Sequence, residues 1–159
     1  MLELVILIGL QASGKSTFFQ AHFALTHQHV SKDLLRNNSN PARRQRQLIE
    51  EALRAGRSVV VDNTNATRQA RRELIDLGHS YAARVAGYYF EARLKQSLER
   101  NQARQGKARV PDVALFTTLK RLERPSFDEG FDQLFFVRSL DDQAFEVRAW
   151  KEEVADGQP

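Results

Sequence analysis

Cysteine is absent from the chain, which excludes a disulfide framework and any thiolate metal site and leaves nothing that points to an oxidising compartment. The cytoplasm is the expected location. Long apolar runs are lacking too: the one at the start, Leu2 to Leu10, carries Glu3 and leads into glycines and a lysine, with neither a basic leader nor a small-residue cleavage pattern. It is expected to be neither a signal peptide nor a membrane span. There is no internal repeat, linker or low-complexity stretch, and 159 residues, 42% of them hydrophobic, suit one compact domain over 1–150. The polar end from Lys151 to Pro159 is expected to fray. Neither charge sign dominates, since 24 Lys and Arg against 20 Asp and Glu give +4. That balance suits an anionic substrate and equally describes a solvated basic surface. The four histidines, His22, His27, His29 and His79, lack metal-ligand spacing with carboxylates and read as structural or solvated.

What is present is an alternation of strand and helix patterns. Leu4 to Ile8 is a continuous apolar run, as expected of a central parallel strand covered on both faces. Ser58 to Val61, Tyr81 to Phe90 and Leu134 to Val137 are further strand candidates, Val30 with its neighbours is a very short one, and Phe145 to Trp150 alternates like an edge strand. Helical spacing covers Thr17 to Leu25, a stretch from Pro41 to Gly56, Thr67 to Leu77 stopped by Gly78, Ala92 to Arg104, and Pro111 to Leu122. In the last of these Leu115, Phe116, Leu119 and Leu122 form one apolar stripe that reads as core. Such alternation predicts an open α/β sheet with right-handed crossovers.

Between the first strand and the first helix, Gly9-Leu10-Gln11-Ala12-Ser13-Gly14-Lys15-Ser16 fits G-x-x-x-x-G-K-[ST] at every position. The four fixed positions coincide by chance in roughly one chain of this length in a few hundred, and the flanking strand and helix lower that further. In such a loop the backbone N–H groups of Gly9, Ala12, Ser13, Gly14, Lys15, Ser16 and Thr17 curl round phosphate at a helix N-terminus. Lys15 neutralises the β and γ phosphates, and Ser16 places its hydroxyl on Mg²⁺. A triphosphate site alone leaves motor, switch and kinase open.

In open α/β sheets ligands gather outside the carboxyl ends of strands. After the short second strand come Asp33 and Arg36, three apart, where a carboxylate can accept a hydroxyl proton and a guanidinium can hold an acceptor phosphate. An N-cap aspartate with a surface arginine is the plain alternative. After the third strand come Asp62, Asn63, Thr64 and Asn65. Asp62 is placed to hold magnesium-bound water or orient the acceptor, while Asn63, Thr64 and Asn65 are helix-capping types as much as substrate contacts. Arg100 and Arg104, one turn apart at the end of a helix and followed by a basic glycine-containing loop, read as a lid whose cations stabilise the transferring phosphoryl group. Two solvated helix arginines are the alternative.

In order along the chain, the P-loop, Lys32-Asp33-x-x-Arg36, Val61-Asp62-Asn63-Thr64-Asn65, Arg100-x-x-x-Arg104 and Arg124-Pro125-x-x-x-Glu129-Gly130-Phe131-Asp132 resemble the kinase domain of polynucleotide 5′-kinases. The resemblance implies a three-layer P-loop fold with an adenylate-kinase-like parallel sheet, helices on both faces and a helical lid, the Asp62 strand lying beside the P-loop strand. It implies ATP with Mg²⁺ as donor, Asp33 as general base, Arg36 on the phosphate next to the acceptor hydroxyl, Arg100 and Arg104 as lid, and Pro125 to Gly130 bordering the adenine. The expected substrate is the 5′-OH end of RNA or DNA, with a place in nucleic-acid repair and no obligate protein partner. Gln11 departs from the small residue common there, and the length leaves no room for a phosphatase or ligase domain. A small-metabolite kinase and a nucleotide-binding switch or ATPase without acceptor are the competing readings.

Overall fold

The computed structural model describes residues 1–140 and 144–152. Most of the tail expected to fray, 153–159, therefore lies outside the described residues. The strands are β1 (Glu3–Ile8), β2 (His27–Val30), β3 (Ser58–Asp62), β4 (Arg84–Phe90), β5 (Gln133–Ser139) and β6 (Phe145–Ala149). The helices are α1 (Lys15–His22), α2 (Pro41–Arg54), α3 (Arg68–Ser80), α4 (Leu94–Ala103) and α5 (Asp112–Arg121). One six-stranded sheet runs in the order β2-β3-β1-β4-β5-β6. All neighbours pair parallel except β6, which closes the edge antiparallel to β5. This is the expected α/β architecture, with β3 beside β1.

Burial on both faces explains why β1 is apolar throughout. Leu4, Ile6 and Ile8 face a core shared with Ile49 of α2 and with Leu74 and Ile75 of α3. Val5 and Leu7 face the opposite side, with Phe18, Phe19 and Phe23 from α1 and the residue after it. All five β1 residues from Leu4 to Ile8 are fully buried, and each such side chain contributes roughly 1.5–3 kcal/mol of transfer free energy. The chain runs from β1 to β2 and β3 on one side, then crosses to β4 and β5 on the other. The switch point falls at the carboxyl end of β1, where a crevice opens.

Two expectations change for steric reasons. Gly78 does not end α3, which continues to Ser80. A Cβ there would stand 2.8 Å from Val85 Cγ2 and 3.0 Å from Leu4 Cδ2, so glycine lets the helix lie close on the sheet. The turn instead comes at Tyr81 and at Ala82, whose φ is 59°, and β4 starts at Arg84 rather than Tyr81. On α5 the apolar stripe is only partly core: Leu115 is fully buried, but Phe116 is 46% exposed. The reason is that α5 packs against α4, leaving the flank that carries Phe116 uncovered.

Candidate functional site

At the turn from β1 into α1, Gly14 is the N-cap of α1 with φ 98°, a left-handed conformation that favours glycine. A Cβ at Gly14 would meet Phe145 at 3.1 Å and Arg100 Nη1 at 3.6 Å. Gly9 donates its N–H to the Thr64 carbonyl at 3.0 Å, which pins the loop to the segment after β3. Ala12 and Ser13 are buried within the loop, and Thr17 is exposed in the first turn of α1. Lys15 is buried and curls back on the loop, its Nζ donating to the Leu10 carbonyl at 2.6 Å and the Gly9 carbonyl at 3.1 Å. Burial pulls its pKa down to about 8. The charge of Arg104 adds to that, against the opposing pull of Asp62 and Asp33.

Asp62, the last residue of β3, is buried beside Ser16. The Ser16 hydroxyl donates to Asp62 Oδ2 at 2.7 Å, and His29 Nε2 bonds the same oxygen at 2.8 Å. His29 comes from β2 and stacks on Phe19 with ring centroids 4.1 Å apart. Burial works to raise the Asp62 carboxyl. The His29 hydrogen bond, the Lys15 charge and the Ser16 hydrogen bond together outweigh it and hold the group below the usual carboxylate range. No cluster of three or more His, Cys, Asp or Glu able to hold a metal occurs among the described residues. A hydroxyl and a carboxylate side by side at a P-loop fit magnesium, which takes few protein ligands and completes its shell with phosphate oxygens and water.

Asp33 and Arg36 sit on and just after a 3₁₀ turn over Lys32–Leu35, with Ser31 as N-cap. Asp33 lines the cleft in front of the P-loop, a cleft of about 390 Å³ that also includes Lys15, Ser16, Asp62 and Arg104. Arg36 is not part of that lining; its Nη2 lies 3.6 Å from Asp33 Oδ1. The segment after β3 is held by its own side chains. Asn63 accepts the Lys32 N–H at 2.9 Å and donates to Gln45 of α2 at 2.7 Å. Asn65, buried with φ 44°, donates to the Leu7 carbonyl at 2.7 Å and so ties the ends of β1 and β3. Asn63, Thr64 and Asn65 all border the cleft.

The two arginines of α4 part company. The helix ends at Ala103, and Arg104 is extended, with ψ 153°, so the pair does not share a helical face. Arg104 reaches the cleft and donates to the Ala108 carbonyl at 3.2 Å. Arg100 turns to Ser139 Oγ at 2.8 Å, beside Gly14. The segment from Pro125 to Gly130, expected next to a nucleotide base, packs against α3 instead. Glu129 grips the fully buried Arg71 with two bonds of 2.8 and 3.1 Å, and a Cβ at Gly130 would meet Ile75 at 3.1 Å. Phe145 and Arg100 are the side chains beside Gly14.

Residues 4–125 match the profile of the AAA domain family. The chain belongs to that family. The matched stretch runs from β1 past the end of α5, and it therefore holds the P-loop, Asp33, Asp62 and Arg104. Among curated proteins this AAA domain is similar to the bifunctional polynucleotide phosphatase/kinase of Schizosaccharomyces pombe, 27% identical over 133 residues. The match covers 81% of this chain and 32% of that protein, so the chain spans about a third of the relative's length. Among solved structures a fungal RNA kinase superposes with a TM-score of 0.66 at 19% identity, covering 91% of this chain and 40% of the other. A gluconokinase from Sinorhizobium meliloti 1021 superposes with a TM-score of 0.61 at 21% identity, covering 86% and 82%. At these identities the likeness is one of fold, the P-loop fold these kinases share.

Several cleft residues of the AAA domain occupy no fixed position of a motif. Gln11 donates its Nε2 to Thr118 Oγ1 of α5 at 2.9 Å, bridging the P-loop and a helix 107 residues away. Arg121, one turn beyond Thr118, lines the same cleft, as do Thr67 and Ala70 at the start of α3. His29, read from the sequence as structural or solvated, instead bonds Asp62, and its place near the carboxyl end of β2 is the one sequence signal that marks it. No local pattern marks Arg121 or Thr118, since only the packing of α5 brings them there.

Proposed function

We propose that this domain transfers the γ-phosphoryl group of ATP to the 5′-OH end of RNA or DNA. The observation that carries the reading is that Asp33 lines the same cleft as Lys15 and the Ser16–Asp62 pair, so a proton acceptor faces a phosphate cradle. The resemblance to the Schizosaccharomyces pombe polynucleotide phosphatase/kinase supports the acceptor class.

The donor triphosphate lies along the P-loop. Lys15 leaves the carbonyls of Gly9 and Leu10 to meet the β and γ phosphates, exchanging neutral acceptors for charged ones. Ser16 and Asp62 would hold a magnesium ion, which would supply charge neutralisation for the phosphates. Asp33 accepts the proton of the attacking hydroxyl as the new O–P bond forms in line with the breaking bond to the ADP oxygen. Arg104, at the rim of the cleft, faces the charge that spreads over the transferring group.

The test is transfer of labelled γ-phosphate to a 5′-OH oligonucleotide. Label should appear on the oligonucleotide and fall by about 10²–10⁴-fold in Asp33→Ala, the usual contribution of a general base. ATP consumption with no label on any oligonucleotide overturns the reading. A sugar acid belongs in the same acceptor panel, because a cleft of about 390 Å³ also admits a small anionic metabolite.

A further inference from the structure

The sequence offers Arg36 as the grip on the acceptor, yet its guanidinium sits against Asp33 and outside the cleft lining. The charges that do line the cleft are Lys15, Lys32, Arg104 and Arg121 against Asp33 and Asp62. Arg104, bonded to the Ala108 carbonyl at 3.2 Å, is assigned above to the transferring group. Lys32 and Arg121 remain, one from the turn after β2 and the other from α5. Lys32 uses its backbone N–H on Asn63, and neither its ammonium nor the Arg121 guanidinium has a carboxylate partner among the described residues. Two cations without an ion-pair partner, in a cleft that sets four cations against two carboxylates, focus a positive potential that favours an anionic ligand.

Arg121 is also held in register with the transfer centre. Thr118 lies one helical turn before it, and Gln11 of the P-loop bonds Thr118 at 2.9 Å. Just past the helix, the Glu123 N–H donates to the Ala66 carbonyl at 2.8 Å, fastening the other end of the turn to the segment after β3. Gln11 thereby has a use in this chain that a proline or small residue lacks: its amide reaches α5.

We propose that Arg121, with Lys32 of the same cleft, is the specificity-determining residue that binds the phosphodiester next to the reacting 5′-hydroxyl. The inference rests on the polynucleotide reading above and names the residues that enforce it. Arginine suits the role because its planar fork binds two phosphate oxygens at once.

Steady-state transfer to a 5′-OH oligonucleotide, at several salt concentrations, tests it on Arg121→Gln, Lys32→Gln, Arg121→Lys and a distant control, Arg57→Gln. Arg57 is exposed at the amino end of β3, away from the cleft. Arg121→Gln should raise the KM for the oligonucleotide about tenfold, leave the KM for ATP within about twofold, and reduce the slope of log KM against log salt by about one unit. Lys32→Gln should do the same to a smaller degree, Arg121→Lys should recover the salt slope without the full affinity, and Arg57→Gln should match the parent. Wild-type protein should also prefer a nucleoside 3′-monophosphate to the nucleoside, and Arg121→Gln should lose the preference. An unchanged oligonucleotide KM and slope in Arg121→Gln, or an equal rise in the KM for ATP, overturns the assignment while leaving the polynucleotide reading intact. Failure of the wild-type protein to phosphorylate any oligonucleotide removes both.

Discussion

The hydroxyl of Ser16 and the carboxylate of Asp62 meet at 2.7 Å although 46 residues separate them in the chain. Parallel pairing of β1 with β3 brings them together, because Leu7 and Asp62 are register partners and Ser16 follows one loop later. His29 braces the same carboxylate oxygen from the next strand.

Replacing that carboxylate should be felt in the metal requirement first. Asp62→Asn keeps the shape and removes the charge, so half-saturating magnesium should rise at least tenfold and transfer should fall about a hundredfold, roughly 2.7 kcal/mol of lost barrier lowering. A magnesium titration of the phosphotransfer rate checks this; an unchanged magnesium requirement separates Asp62 from the metal.

Nucleotide affinity should depend on pH through Lys15, whose burial brings its pKa down to about 8. The protonated form binds triphosphate, so affinity should fall as pH rises through about 8. Stability moves the other way. Between about 8 and the ordinary lysine value the unfolded chain binds more protons than the folded one, so unfolding free energy should rise with pH across that window. Nucleotide titrations and denaturant melts at pH 7 and 9 check both signs, and Lys15→Met should abolish both trends.

The Arg71–Glu129 pair is a stability element. Arg71 is fully buried, gives two bonds to Glu129 and donates Nη1 to the carbonyls of Asn65 and Ala66. Arg71→Ala breaks the buried pair, leaving Glu129 only Arg68 at 3.7 Å and the Ser126 N–H at 3.0 Å, and should cost about 3–5 kcal/mol. For a chain of this size that corresponds to a melting temperature lower by on the order of 10 °C. Thermal melts decide it, and a shift under about 2 °C would show that the pair contributes little.

Gly78→Ala should destabilise without touching the site. The added methyl meets Val85 at 2.8 Å and Leu4 at 3.0 Å, in the last turn of α3 where alanine otherwise favours helix. Overpacking of this kind costs about 1–3 kcal/mol. Chemical denaturation should show the loss, and the KM for ATP should be unchanged at temperatures where the variant is folded.

Much of the fold is legible from runs and periods. The continuous apolar β1, the glycines and lysine after it, Pro41 preceded by the N-cap Asn40 and the end of α2 before Gly56 are local signals, and each element forms where they place it. Gly78 misleads because the same residue type serves two ends: as a helix stop it acts through backbone freedom, while here it acts through missing volume against Val85 and Leu4. The α5 stripe misleads because periodicity marks an apolar face without saying how much of it a neighbour covers.

Local chemistry along the chain determined the phosphate cradle, since every residue of the P-loop is contiguous, while the Gly9–Thr64 and Gln11–Thr118 bonds that pin it come from the tertiary structure. It also determined that Asp33 and Asp62 stand at strand ends. Which side chains share the cleft was decided by tertiary structure alone: Arg104 enters it and Arg100 turns to Ser139, His29 joins Asp62, and Arg121 arrives on a helix fastened by Gln11. Those placements depend on strand order and on where α4 and α5 pack, and contacts between residues far apart in the chain leave no pattern in any short stretch of it.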